Sequence, residues 1–292
     1  MKFQGTHTAL VTPFRDGKVD EAALRRIIRE QIVAGVDGIV PCGSTGESAT
    51  LNHAEHERVI AISVEEAAGK VKVMAGTGSN NTAEAISLTS YAKKAGADAA
   101  LLISPYYNKP TQAGHVAHYR AVADAAGLPI FVYNIPGRTG VNMLPETIAE
   151  MADHPMIAGV KEASGSLDQV SKIVQLAGAR LTVLSGDDSL TLPMMSVGAL
   201  GVIAVTSNLV PARMAALVRA ALSGDFVEAR KIHFELLPLL QVLSLETNPI
   251  PVKAAMALAG KCSADVRMPL TPLTDANRTK LEATLRAMGI IA

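Results

Sequence analysis

Short runs of four or five apolar residues alternate along this chain with longer stretches in which apolar residues recur every three or four positions. Apolar runs without polar alternation fit parallel strands covered on both faces, and the longer stretches fit amphipathic helices. The strands predicted this way are residues 8–12, stopping at Pro13, then 38–40, 71–75, 99–103, 129–133, 156–161, 182–185 and 201–205. Between them, Asp20 is placed to cap a helix with Leu24, Ile27, Ile28 and Ile32 on one face. Further helices are predicted over 53–68 and 82–95, through His118 and Val122, near 145–151, and over 166–177. Gly186-Asp187-Asp188 would open the next, and Pro211 would start the last in the first helical position.

Eight strand–helix pairs by about residue 222 match a (β/α)8 TIM barrel, an α/β fold of about 250 residues. The tail carries no strand pattern. Residues 225–240, 251–258 and 274–288 read as three helices, with Asn248 before Pro249 as a cap for the second. The expected organisation is a barrel domain over 1–223 and a helical domain over 224–292. A doubly wound open sheet is disfavoured, because no dinucleotide-type glycine signature follows the first strand.

Composition narrows the partners. Hydrophobic residues make up 49% of 292 and charged residues 18%, ample for a large core. Lysine plus arginine (27) balance aspartate plus glutamate (27) with no basic block, so a nucleic-acid partner is excluded. Cys42 and Cys262 are too few for a disulfide framework and fit a reducing compartment. The start, Met1-Lys2-Phe3-Gln4-Gly5-Thr6, lacks a signal-peptide pattern, and the apolar stretch 197–210 is broken by Gly198, Gly201, Thr206, Ser207 and Asn208. A cytoplasmic protein without a membrane partner is expected.

Polar residues gather after the strands, on the catalytic face of a barrel. Gly43-Ser44-Thr45-Gly46 offers hydroxyls and backbone N–H groups in a bend that can cradle a carboxylate or be an ordinary turn. Tyr133 ends the fifth strand and Lys161 the sixth, so neighbouring strands put both on one mouth. A lysine that loses its proton attacks a carbonyl, and a nearby phenol shuttles protons; alone, either residue reads as a snorkelling lysine or a half-buried aromatic. Arg138 either grips a second carboxylate or is a solvated loop arginine. His53-x-x-His56 and His115-x-x-His118 have helical spacing but no argued third ligand, so solvated helix surface is favoured over metal. Asp187-Asp188 is read as favouring a helix start.

Four segments carry a resemblance: Gly43-Ser44-Thr45-Gly46-Glu47-Ser48, Pro105-Tyr106-Tyr107-Asn108, Tyr133-Asn134-Ile135-Pro136-Gly137-Arg138-Thr139-Gly140 and Gly159-Val160-Lys161-Glu162-Ala163. Together they resemble the pyruvate-dependent class I aldolase (N-acetylneuraminate lyase) superfamily. Within it they are most similar to the dihydrodipicolinate synthase family, and the likeness extends to Asn248-Pro249-Ile250-Pro251-Val252-Lys253. The resemblance implies a homotetramer built as a dimer of dimers, and a lyase that needs no cofactor because Lys161 forms a Schiff base with pyruvate. The enamine then attacks L-aspartate 4-semialdehyde, the first committed step of lysine (diaminopimelate) biosynthesis. It also implies a proton relay of Tyr133, Ser44 and Tyr107, the last from a neighbouring subunit. Thr45 would hold the pyruvate carboxylate and Arg138 the semialdehyde carboxylate, with Gly186 and Ile203 shaping the site. Inhibition by lysine is implied at Ser48, Ala49, His53, His56, Asn80, Glu84 and Tyr106.

One departure stands out. The relay position is usually threonine, and serine keeps the hydroxyl without the methyl that restricts χ1. The same Ser form occurs in sialic-acid and sugar-acid lyases of the superfamily, and a lyase or aldolase acting on a sugar acid, sialic acid or hydroxy-oxoglutarate is the alternative. A silent barrel sensing small acids is a further reading, against which the set Lys161, Tyr133 and Tyr107 argues.

Overall fold

The computed structural model describes residues 3–292; Met1 and Lys2, where the expected absence of a targeting pattern begins, lie outside the described residues. Eight parallel strands close into a barrel: β1 (Gly5–Ala9), β4 (Gly38–Val40), β5 (Lys72–Gly76), β6 (Ala99–Ile103), β7 (Ile130–Asn134), β8 (Ile157–Glu162), β9 (Thr182–Ser185) and β10 (Gly201–Ala204). A two-stranded hairpin, β2 (Phe14–Arg15) and β3 (Lys18–Val19), follows the first strand. The ring of helices is α1 (Glu21–Ala34), α2 (His53–Ala67), α3 (Thr82–Ala95), α4 (Gln112–Ala126), α5 (Pro136–Thr139), α6 (Pro145–Met151), α7 (Leu167–Ala177), α8 (Thr191–Ser196) and α9 (Pro211–Leu222). Three more close the chain: α10 (Phe226–Val242), which packs on α9, then α11 (Ile250–Leu258) and α12 (Asp275–Ala287).

Strand alternation produces two cores. Ile130, Val132, Val160 and Val183 point outward beneath the helices. Phe3, Val40, Leu101, Phe131, Tyr133, Leu184 and Ile203 fill the barrel interior. Gly159 belongs to the inner set: a Cβ there would lie 2.1 Å from the Phe131 ring. Two residues further on, Lys161 therefore points inward too.

Several expectations are corrected. The first strand is Gly5–Ala9, not 8–12. Its polar residues are buried, and two are held from outside the sheet: Thr8 Oγ1 donates to Gln31 Oε1 at 2.6 Å, and Thr6 N donates to Asp37 Oδ2, while the His7 ring has no partner among the described residues. Leu10 N still donates to Val40 O, and the chain leaves the sheet at Val11, whose N donates to the Asn208 side chain rather than to a strand. Asp187 and Asp188 do not open a helix, since α8 begins at Thr191; Asp188 instead accepts from the amides of Val205 and Thr206 at 3.1 and 2.6 Å. Asn248 is no cap, because its side chain leaves α11 and donates to Thr45. His56, His115 and His118 are buried rather than solvated, packed where the helices meet the barrel and each other. Only His53 of the four is exposed.

Among the described residues no helix is long and apolar enough to cross a membrane, and no group of three or more His, Cys, Asp or Glu is placed to hold a metal ion.

Candidate active site

The carboxyl ends of β4, β7, β8, β9 and β10 surround a cavity of about 300 Å³ lined by Ser44, Thr45, Tyr133, Arg138, Lys161 and Gly186. The helical tail closes it from above through Leu240, Leu243 and Asn248. Tyr133 and Lys161 sit directly across the β7–β8 ladder, and the lysine Nζ lies 4.2 Å from the phenol ring centroid. Lys161 is only 6% exposed. Burial lowers its pKa to about 8; the Asp188 carboxylate opposes that shift and the Arg138 guanidinium adds to it. A fraction of the amine is thus neutral near physiological pH. Burial raises the Tyr133 phenol well above its ordinary value, while Arg138 and the Ser44 hydroxyl pull it back. The phenol keeps its proton and is available as a donor.

Gly186 makes room for the lysine, since a Cβ there would lie 3.0 Å from Lys161 Cε and 2.8 Å from Ala163 Cβ. The neighbouring Glu162 points to the opposite face of β8. It accepts from Asn134 Nδ2, Ser164 N and Gln169 Nε2, which anchors the strand end behind the lysine.

In the bend after β4, the amides of Gly46, Glu47 and Ser48 donate to carbonyls of Gly43 and Ser44. Among the described residues the amides of Ser44 and Thr45 find no protein acceptor, and such N–H groups with two hydroxyls suit an anion. Thr45 is buried, and its Oγ1 accepts from Asn248 Nδ2 at 2.9 Å, leaving its proton free for a ligand. Arg138 is exposed on α5 and donates through Nη2 to the Asn248 carbonyl at 3.0 Å. Asn248 therefore joins the two expected carboxylate grips, and its own Oδ1 is buried without a partner.

Not every expected residue converges here. Ile203 is fully buried in the barrel interior beneath the cavity. Tyr107 stands apart, 87% exposed with a left-handed φ of 65°. The residues expected to bind lysine gather elsewhere: Ser48, Ala49, His53, His56, Glu84 and Tyr106 line a second cavity of about 410 Å³, which shares Ser44, Tyr133, Arg138 and Asn248 with the first. There Glu84 is held by His53 Nε2 at 2.9 Å and by the Ser79 hydroxyl, and both lower its pKa. Asn80 is off that wall, its carbonyl taken by Asn108 Nδ2.

A profile of the dihydrodipicolinate synthetase family matches residues 2–288. The chain belongs to that family. A dihydrodipicolinate synthetase relative from Geotalea uraniireducens (strain Rf4), named 4-hydroxy-tetrahydrodipicolinate synthase, is 56% identical over 289 residues, covering 99% of this chain and all of the relative. The chloride-inhibited dihydrodipicolinate synthase from Acinetobacter baumannii, solved in complex with pyruvate, superposes with a TM-score of 0.98 at 41% identity, covering 99% of this chain and 100% of that one. The enzyme from Cyanidioschyzon merolae, solved with lysine bound, gives a TM-score of 0.96 at 40% identity over 99% of each chain. As a member of the dihydrodipicolinate synthetase family the chain is an enzyme of the lyase class.

Sequence reasoning missed Asn248 as a site residue, Asp188 as the clamp on residues 205 and 206, and the buried pair of Glu47 with Lys253. A signal for the last was present: Lys253 is the one charge in the otherwise apolar Ile250–Leu258, and a lone charge in such a helix needs a buried partner.

Proposed function

We propose that this enzyme condenses pyruvate with L-aspartate 4-semialdehyde to give 4-hydroxy-tetrahydrodipicolinate, through a Schiff base on Lys161. The observation that carries the proposal is a buried amine, lowered to about 8, facing a cavity beside a protonated phenol. Membership of the family and the pyruvate complex of the Acinetobacter relative support the same choice of first substrate.

The neutral amine adds to the keto carbon of pyruvate, and Tyr133 protonates the departing hydroxyl as water is lost and the imine forms. Loss of a methyl proton gives the enamine, whose terminal carbon bonds to the aldehyde carbon. Attack by the substrate's own amine on the imine carbon closes the ring and expels Lys161. The pyruvate carboxylate lies against Thr45 and the amides of the 43–46 bend, and Arg138 takes the carboxylate of the semialdehyde. Gly186 and Ile203 shape the cavity floor through their backbone. Ser44 links Tyr133 outward to Tyr107, whose exposure on the single chain leaves it free to enter the site of a second copy in a homotetramer. Residues 224–292 act as a helical domain clamped over the barrel mouth, and the enzyme works in the cytoplasm.

Borohydride reduction in the presence of pyruvate is expected to leave a stable adduct on Lys161 and none on Lys161→Ala. An adduct on another residue, or none at all, overturns the proposal. A coupled assay comparing aspartate semialdehyde with sugar-acid and hydroxy-oxoglutarate substrates decides the acceptor, with Arg138→Ala impairing only the first severely.

Lysine is the proposed effector. The second cavity offers the Glu84 carboxylate to its amino group, and the Cyanidioschyzon relative was solved with lysine bound. Turnover should fall in millimolar lysine and recover in Glu84→Ala; full activity of the parent enzyme in lysine would remove the effector from the account.

A further inference from the structure

The bend that presents Ser44 and Thr45 ends at Glu47, which takes a left-handed φ of 53°. Residues with a Cβ rarely adopt that conformation unless something holds them there. The Glu47 side chain is 2% exposed and both its oxygens are engaged: Oε1 accepts from Lys253 Nζ at 2.6 Å, and Oε2 accepts from Arg267 N at 2.9 Å. Lys253 is fully buried in α11. It also donates to the Thr12 carbonyl at 2.9 Å and sits 4.2 Å above the Phe14 ring. Thr12 Oγ1 in turn donates to the Gly46 carbonyl at 2.7 Å. The loop is therefore bolted at two adjacent residues to the helical tail and to the segment after β1.

Lys253 lines neither cavity, whereas Glu47 lines the second one and sits two residues after Thr45 of the first. On its N-terminal side Thr45 faces the Lys161 cavity and Ser44 faces both, and on its C-terminal side Ser48, Ala49 and Thr50 face the second one. A buried ion pair is a poor source of stability compared with apolar packing of the same volume. What it supplies is direction: a carboxylate held from two sides and an ammonium holding three groups have one geometry.

We propose that Glu47 and Lys253 are positioning residues for the keto-acid site, the pair fixing the left-handed turn that aims the Ser44 and Thr45 donors at the substrate carboxylate. The inference rests on the reading that Lys161 captures pyruvate. Neither residue touches substrate; both act through the loop.

The test uses the full-length enzyme and borohydride trapping of Lys161 across a pyruvate titration. Lys253→Met alone leaves a buried carboxylate without its counter-charge and is expected to fold poorly. The neutral double variant Glu47→Gln/Lys253→Met removes both charges and keeps the volume. It should retain the parental far-UV spectrum while half-saturating pyruvate rises about tenfold or more, the scale that a small misplacement of binding groups produces. Trapping at saturating pyruvate should stay within about threefold of the parent, because the lysine itself is untouched. A merely structural pair would reduce the yield of folded enzyme without moving half-saturation, and that result overturns the proposal. If the double variant does not fold, Glu47→Asp, which keeps the counter-charge to Lys253 and shortens the reach, is judged by the same criterion. If the parent enzyme gives no adduct, the pyruvate reading falls first, a result distinct from a parent that traps and a variant that traps equally well.

Discussion

Lys161 acquires its chemistry from position rather than from type. Its side chain points into the barrel because strand alternation puts it on the same face as the inward-facing Gly159 two residues earlier, and its amine loses solvent at the strand end. Desolvation is the largest influence on it, Asp188 the next and opposite in sign. Nucleophilic attack needs the unprotonated amine, so the rate of adduct formation at limiting pyruvate should rise with pH through about 8 and then level. Replacing Asp188 with asparagine removes the carboxylate that favours the ammonium. The midpoint of that profile should move to lower pH, and a shift to higher pH would show that the Asp188 carboxylate does not favour the ammonium. Asparagine keeps one acceptor for the amides of Val205 and Thr206, so the loop stays tethered.

At the scale of elements, what the strands leave unpaired is satisfied by single side chains from other turns. Asn208 is the clearest case: Nδ2 donates to Ala9 O and Val205 O, and Oδ1 accepts from Val11 N. It ties the end of β1 to the turn after β10, the two strands that close the barrel. Removing it takes this partner from Val11 N and Ala9 O, while Val205 O keeps the amide of residue 208, so Asn208→Ala should lower unfolding free energy by about 2 kcal/mol, read as a lower urea midpoint with an unchanged slope. The sequence-derived ranges agree with the structure for β4, β6, β9, α3 and α6, where short apolar runs or capped amphipathic faces set the ends locally. They fail at β1, whose buried Thr6, His7 and Thr8 break the apolar pattern, and at β2–β3, too short to show a period.

Across the whole molecule, burial of histidines sets the acid limit. His7, His56 and His118 are each held at about 4 by desolvation, below the ordinary value of 6.5. The unfolded chain therefore binds protons first as the pH falls. Stability is fully present above 6.5 and is lost progressively as the pH drops towards 4. With about 1.4 kcal/mol per pKa unit, three such groups consume much of the ~5–15 kcal/mol that holds a typical domain folded. The thermal midpoint should fall steeply between pH 7 and pH 5, and His7→Leu should reduce that fall; an equal fall in the variant would clear His7 of the role. Tyr107 belongs to this scale as well. If a second copy supplies it, Tyr107→Phe and Lys161→Ala, each nearly inactive alone, should regain activity when mixed and allowed to exchange subunits, because the shared interface then holds one complete site. Mixtures that stay inactive would place the relay within one chain.

The order of strands and helices, the barrel, and the pairing of Tyr133 with Lys161 could be read from sequence because each depends on local periodicity and on neighbouring strands. The same holds for the bend after β4, whose glycines and hydroxyls are contiguous. Tertiary structure alone decided that Asn248 reaches Thr45 across 203 positions, that Lys253 neutralises Glu47 across 206, and that three histidines read as solvated are buried. Those contacts depend on where the helical tail lands on the barrel, and side-chain periodicity carries no information about docking between distant segments. The left-handed turn at Glu47 is the sharpest instance: nothing in its neighbours calls for it, and a partner from α11 and the amide of Arg267 hold it in place.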